Sequence, residues 1–600
     1  MEFEAFAERA DRLATEPADI GTTRLVADLL AAAGERDENG DEDDLATVTR
    51  FLLGRVFPAH DTRTLDVGPA LCREAIARAA GPNVAAADVE DRLAEEGEIG
   101  AVAAGFEFGG QRGLAAFGEG RDRLTVAAVH AELRGLAAAA GDGSESRKRD
   151  ILFGLFNRCD PAEAKVLARL VLGEMRLGVG EGAVRDAVAE AFLVGESDED
   201  IPEAENDEDD PVLRADDQAV AAVQRALQVT NDYGHVAVRA RDEGLAGLHA
   251  ERLEVGRPVQ AMLAQAGTTT DAVDAFGEVA VETKFDGARV QIHYVPESGS
   301  NGADDDKSDG TGLGPRIYSR NMDDVTDALP EVVEYVERRV SAPVILDGEV
   351  VAVDDDGDPL PFQEVLRRFR RKHDVDRMRE EVGLRLHAFD CLHADGEDLL
   401  DEPFCVRHDR LDAVLPDAAA SVEFADDPSA IEAAEAAALD AGHEGVMLKN
   451  PEAAYTPGNR GRDWLKRKPD VETLDAVVVG AEWGEGRRAE LFGTFLLGVR
   501  RGEDGFAAIG KVATGLTDEE LSDLTERLEP HVVSEDGTEI EIRPEVVLEV
   551  GYEEIQTSPT YSSGYALRFP RFVGVREDKS VNDADSLERV ARLAGDGEAA

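Results

Sequence analysis

The apolar pattern changes period part-way along the chain, and no single architecture satisfies both halves. Up to about residue 195, apolar residues recur every three or four positions in a background rich in Ala, Leu, Glu and Arg, the period of helices packed on one face. From about residue 255 the texture turns to short β-like runs: EVAVETKF, RVQIHYV, VILDGEVVAV, LRLHAFDC and EGVMLK. After Pro469 comes a second β series, LDAVVVGAEW, FGTFLLGVRR, GFAAIGKVATG, EVVLEVGYEEI and LRFPRFVGVRE. Five such strands in about 110 residues predict a small barrel, with the five-stranded OB-fold as its form. Six hundred residues exceed what one core serves, and the length prior is about three or four domains. The expected fold class is multidomain α+β: an all-α domain over 1–215, a mixed α/β domain over 250–470 and a barrel over 471–590.

Local signals sharpen this outline. Asp160-Pro161-Ala162-Glu163 offers an N-cap, Pro at the first helical position and a capping-box acid, and Val166, Leu167, Leu170 and Val171 supply one apolar face. That helix is expected to end before the Gly-rich LGVGEG (177–182), with AVRDAVAEAF as the next helix. No strand precedes Gly178, Gly180 and Gly182, so a dinucleotide-binding loop is a poor fit. Backbone amides at the following helix start could hold phosphates, and a plain interhelical turn is the alternative. Segment 35–44, the ten acids among sixteen residues from Glu196 to Pro211, and the Gly/Asp/Ser stretch 297–315 are expected to be solvated loops.

Several function classes are excluded. No apolar run approaches the ~18 residues of a membrane span. MEFEAFAERADRLA has no basic n-region, so no export signal is read and a cytoplasmic protein is expected. Four cysteines without C-x-x-C spacing argue against a disulfide scaffold or a structural zinc site. The formal net charge of −63 would ordinarily count against a nucleic-acid partner. Yet only ten of the 64 basic residues are Lys, and a Lys-poor acidic surface suits a cytosol at molar salt. At ~1 M the screening length is about 3 Å, so self-repulsion is tolerable and the charge reports habitat, not partner. Scarcity makes each remaining lysine informative, because Arg stays protonated while Lys can lose its proton and act as a nucleophile.

One such lysine ends a strand in a Gly turn. In Glu282-Thr283-Lys284-Phe285-Asp286-Gly287-Ala288-Arg289, a period of two places Glu282, Lys284 and Asp286 on one face and Phe285 on the other. A lysine between two acids is ordinarily a structural ion pair, and the segments that follow favour chemistry instead.

KFDGAR resembles the K-x-D-G-x-R nucleotidyltransferase motif of ATP-dependent DNA ligases. YSRN (318–321), LDGEVV (346–351), LHAFD (386–390), EGVMLK (444–449), PGNRGRDWLKRK (457–468) and LRFPRFVGVREDK (567–579) follow in that family's order. The resemblance covers roughly 150–585, and LARLVLGEMRLGVGEGAVRDA (167–187) is similar to the family's helical DNA-binding domain. It implies a helical DNA-binding domain, a central nucleotidyltransferase (adenylation) domain and an OB-fold, of haloarchaeal type. The implied activity seals nicks in duplex DNA, in replication, recombination and repair. Lys284 takes AMP from ATP, passes it to a 5′-phosphate, and the 3′-hydroxyl then displaces AMP. Glu282 reads the adenine edge and Phe389 stacks on the ring. Arg289, Arg320 and Arg460 contact ribose and phosphate, work that suits arginine forks. Lys466 and Lys468 alternate onto one strand face and meet phosphate charge. Glu349 and Glu444 hold Mg2+, and Glu349 also contacts the nucleotide. Arg576 and Lys579 orient the pyrophosphate leaving group, while Asp286 supports the turn or takes a part in the chemistry. Expected partners are nicked double-stranded DNA and, if the family pattern extends so far, a sliding clamp; the chain is expected to be a monomer with no membrane partner. RNA ligases and capping guanylyltransferases share K-x-D-G, and a non-catalytic DNA clamp is the rival from another class.

Overall fold

A computed structural model describes the chain except residues 36–43, 109–122, 142, 196–212, 297–312, 355, 370–374, 468–472, 485–490, 503–504, 553, 577–578 and 595–600. The three expected acidic or Gly-rich loops therefore lie largely outside the described residues. The chain divides into two compact units, Met1–Arg467 and Lys468–Ala600.

The first unit begins with helices from Phe3–Thr15 to Tyr233–Ala250. The helix read from Asp160 forms as Pro161–Val171. Asp160 Oδ1 accepts from the Glu163 N–H, and Glu163 Oε2 accepts from the Asp160 N–H, both at 2.8 Å. Its four apolar residues are buried in a core running from Phe3 to Leu248. Helical packing thus continues past residue 215, where the expected helical span closes. Helices Asp217–Thr230 and Tyr233–Ala250 join the same core, and Asp232 at their corner takes a two-pronged ion pair from Arg50 at 2.6 and 3.0 Å. Gly180 is the N-cap of helix Glu181–Phe192, with no strand before it.

Ten strands follow in the same unit: β1 (Gln265–Ala266), β2 (Val279–Lys284), β3 (Ala288–Val295), β4 (Leu313–Ser319), β5 (Val344–Val353), β6 (Gly383–Ala394), β7 (Glu397–Asp398), β8 (Val422–Ala425), β9 (Gly445–Lys449) and β10 (Trp464–Arg467). Every β-like run read in this region is a strand. They build two five-stranded sheets, ordered β1-β10-β9-β2-β8 and β4-β3-β5-β6-β7. All pairings are antiparallel except β1 with β10, so the mixed α/β content is arranged as antiparallel sheets with helices beside them. The turn from β2 to β3 joins the two sheets, and Gly287 makes it possible. A Cβ there would meet the Val350 carbonyl oxygen at 2.4 Å, so β3 can enter beside β5 only without a side chain at this position.

In the second unit β11 (Thr473–Trp483), β12 (Phe492–Arg500), β13 (Phe506–Val512), β14 (Val532–Asp536), β15 (Glu539–Ile542), β16 (Val547–Gly551), β17 (Glu554–Thr557), β18 (Tyr565–Arg568) and β19 (Arg571–Val575) surround an apolar core. The path β13-β12-β11-β16-β19 is a five-strand strip whose ends meet where the Phe572 N–H donates to Thr514 O at 2.9 Å. A five-strand strip of this kind is in keeping with the OB-type barrel expected here. Two expected runs are each broken in two, and β14 and β15 are additions that pair with each other and with β11. Their sequences, VVSED and EIEI, are only five and four residues long, and the first has no apolar alternation at all.

Candidate active site

Lys284 closes β2, the strand between β8 and β9. The antiparallel register with β9 sets Lys284 opposite Gly445, so Glu444 arrives beside it. The Glu444 N–H donates to Lys284 O at 3.0 Å, and its carboxylate ion-pairs with the lysine ammonium. Both side chains are 19% exposed, reachable from solvent yet confined. The ordinary expectation of an ion pair is met, though the partner comes from β9 and not from the acids next in sequence. Phe285, on the opposite face, stacks on His387 at 4.0 Å and meets His443 edge-on.

Two residues earlier, Glu282 is buried, and Lys449 at the end of β9 holds its Oε2 at 2.6 Å. Glu282 Oε1 is buried and makes no hydrogen bond among the described residues. Burial raises the Glu282 carboxyl above the ordinary range, against the pull of Lys449. On the second sheet, Arg289 lies opposite Glu349 in the β3–β5 register. Its guanidinium forks onto Asp347, with Nε 3.0 Å from Oδ1, and donates to Met262 O at 2.7 Å. The Tyr455 hydroxyl closes the group, donating to Asp347 Oδ2 at 2.7 Å and accepting from the Met262 N–H at 3.0 Å. Glu349 is pushed up to about 7 by burial, opposed by the charges of Arg289 and Lys284. Phe389 of β6 faces the same space, with the Arg289 guanidinium 5.2 Å and the Lys449 ammonium 4.9 Å from its ring centre. A partly exposed amine with a carboxylate against it, an aromatic face and one buried acceptor without a hydrogen bond can together accommodate a planar, amine-bearing base.

The family descriptions "DNA ligase N terminus", "ATP dependent DNA ligase domain" and "ATP dependent DNA ligase C terminal region" match residues 2–189, 261–468 and 488–579. A DNA ligase of Halorubrum lacusprofundi is 87% identical, covering 99% of this chain and 100% of the relative. The chain belongs to the ATP-dependent DNA ligases. A DNA ligase of Haloferax volcanii is 64% identical over 99% of this chain and 100% of its own length. The solved structure Pmar-Lig_Pre is 15% identical, with a TM-score of 0.53 over 95% of this chain and 99% of that one, and shares the fold. This archaeal ligase therefore seals nicks in DNA at the expense of ATP, and its three regions are those of the family.

The fold sets Lys284 against Glu444, links Glu282 to Phe389 through Lys449, and sets Arg289 against the Phe389 ring and opposite Glu349. Arg320 lies in the exposed turn after β4, and Arg460 in the exposed loop between β9 and β10, where its carbonyl accepts from Gln265 Nε2 at 2.9 Å. Neither belongs to the chain of ion pairs around Lys284. Lys466 lies exposed on β10, opposite Met447. Lys468 lies outside the described residues. In the second unit Arg576 and Lys579 both converge on Asp475, Arg576 at 3.0 Å. Sequence reasoning gave no role to Lys449, Asp347, Tyr455 or Trp464. The first two stood inside EGVMLK and LDGEVV, and the shortage of lysines was the signal that could have marked Lys449.

Proposed function

We propose that Lys284 is the ligase's nucleophile. Its neutral amine attacks the α-phosphorus of ATP, a nitrogen–phosphorus bond forms, and the bond to the pyrophosphate oxygen breaks. The ammonium must first lose its proton to solvent, because only the neutral amine is a nucleophile. The observation that carries this reading is the position of Lys284: a scarce lysine at the end of a buried strand, partly open to solvent, with an acid from β9 on its amine. Glu282 Oε1 then accepts from the adenine 6-amino group and Phe389 stacks on the ring. Arg289, already saturated by Asp347 and Met262, shapes the floor beneath the ribose. Arg320, Arg460, Lys466 and Lys468 meet phosphate, and Arg576 with Lys579 the leaving pyrophosphate. Asp286 supports the turn.

Magnesium fits the carboxylates present. It takes one or two carboxylates with phosphate oxygens and waters, and Glu349 and Glu444 are hard oxygen donors of that number. The desolvation that raises Glu349 is what a divalent cation would offset. Bound there, the ion would neutralise charge on the transferring phosphate.

The polymer substrate is nicked duplex DNA. No described helix is long and apolar enough to cross a membrane; action in the cytoplasm as a monomer is part of the same proposal. A sliding clamp as partner rests on the family resemblance alone.

The test is incubation with α-labelled ATP and Mg2+ at molar KCl. Wild type acquires label, while Lys284→Ala and Lys284→Arg do not, and Lys284→Ala still seals pre-adenylated DNA. Full labelling of either variant removes Lys284 from the role.

A further inference from the structure

Lys449 is among the most buried charges in the chain, 1% exposed, in a protein that keeps only ten lysines. Its ammonium has two polar contacts, Glu282 Oε2 at 2.6 Å and Phe389 O at 3.3 Å. Three aromatic faces close the rest: the rings of Trp464, Phe404 and Phe389 have their centres 4.3, 4.4 and 4.9 Å from Nζ. Taking an ammonium out of water costs several kcal/mol, so this one is held by a carboxylate, a carbonyl and π faces together. An arginine would not replace it, because a planar fork is too broad for a compact cage. The register explains the placement: Lys449 ends β9 opposite Ala280 of β2 and Trp464 of β10, so its side chain lies between the strand that carries Glu282 and the indole.

The two polar contacts of Lys449 fall on the two residues assigned above to the base. It binds one oxygen of Glu282 and leaves the other buried and open, and it holds the backbone of Phe389 while lying over that ring. We propose that Lys449 is a positioning residue for base selection: it orients Glu282 as a pure hydrogen-bond acceptor and sets Phe389 against it, so that a 6-aminopurine is taken and a 6-oxopurine refused. The inference rests on Glu282 and Phe389 being the base contacts. Adenine presents an N–H donor at its 6-position to Glu282 Oε1, whereas hypoxanthine presents a carbonyl oxygen, which a carboxylate repels. Without Lys449 the carboxyl, surrounded by burial, His408 and Asp390, is left to hold a proton and can donate to a 6-oxo group.

The experiment measures kcat and KM for self-adenylation of the full-length protein with ATP and with inosine triphosphate, at molar KCl with Mg2+, from pH 6 to 9. A site that hydrogen-bonds its substrate can reject the wrong partner by on the order of 10⁴, and Lys449→Met is expected to cut the ATP preference by about tenfold or more. The loss falls on KM for ATP and leaves kcat near its original value, since a base contact is made equally in ground and transition states. The preference lost in Lys449→Met returns toward high pH, where the carboxyl ionises again. Glu282→Gln, whose amide can donate to a 6-oxo group, also loses preference, without the pH dependence. Circular dichroism at molar KCl reports folding; if Lys449→Met is unfolded, Lys449→Gln, which keeps an amide N–H donor and loses the charge, is used with the same expectation. An unchanged ATP-to-inosine-triphosphate ratio in the folded Lys449 variant, with the ratio lost in Glu282→Gln, overturns the role of Lys449. An unchanged ratio in Glu282→Gln overturns the base-reading assignment itself, and this inference with it.

Discussion

Asp390 follows the aromatic residue of β6 and pairs with Arg407 on helix Phe404–Val414, both side chains 0% exposed. Arg407 Nε and Nη2 donate to the two carboxylate oxygens at 2.7 and 2.9 Å, and Nη1 donates to Glu402 O and Ala453 O at 2.6 and 2.9 Å. The pair ties β6, the helix and the loop before Tyr455 into one block behind the base site. Asp390→Asn keeps an oxygen but removes the charge, leaving the guanidinium buried against carbonyls. Breaking such a pair costs about 3–5 kcal/mol. That is a large share of the ~5–15 kcal/mol that usually separates folded from unfolded domains. Replacing both partners, as Asp390→Leu with Arg407→Met, removes the stranded charge and is expected to recover at least about 2 kcal/mol relative to the sum of the single losses. Urea unfolding in molar KCl, followed by circular dichroism, measures each variant without changing ionic strength. A loss below about 1 kcal/mol for Asp390→Asn, or single losses that simply add in the double variant, would refute the claim that charge pairing holds this block. Adenylation by folded Asp390→Asn should show a raised KM for ATP, because Phe389 is the neighbouring residue.

Three further outcomes follow from the same structure. His387 is lowered to about 4 by burial, so between pH 6.5 and 4 the unfolded chain binds a proton that the folded chain does not. Stability in that window falls as pH falls, and His387→Phe, which keeps the stack on Phe285, should flatten the slope by up to about 1.4 kcal/mol per pH unit in urea titrations. Truncation after Arg467, where the first unit ends, should leave a folded protein that binds ATP but does not adenylate itself, since Arg576 and Lys579 are gone; normal labelling would show the second unit has no part in that step. Nick binding and sealing should rise with KCl from tenths of molar to molar, because the −63 charge opposes DNA until screening shortens to about 3 Å. A protein shown by circular dichroism to be folded throughout, yet sealing best near 0.1 M, would refute that reading of the charge.

The sequence by itself determined what depends on neighbours a few positions apart. Asp160 and Glu163 cap their helix because each reaches the other's backbone within one turn, and the strands around Lys284 form because apolar alternation and Gly turns are local signals. The three-region layout and the ordered motifs are likewise written in the linear chain, as are the six candidate residues carried by β2, β3, β5, β6 and the approach to β9. Tertiary structure alone decided the rest. Short acidic strands such as EIEI offer too little apolar alternation to announce themselves until β11 supplies a partner. Helices 217–250 were claimed for the helical domain by its core, with Arg50 reaching Asp232 across the sequence. Lys284 met Glu444, and Lys449 met Glu282, through the antiparallel register of β2 and β9, which is set by pairing along whole strands and not by any residue alone. Burial then turned common charged residues into uncommon ones. Glu349, Glu282, Lys449 and Arg407 have the same side chains as many surface positions of this acidic protein, and only the low-dielectric surroundings that the packed sheets create distinguish them.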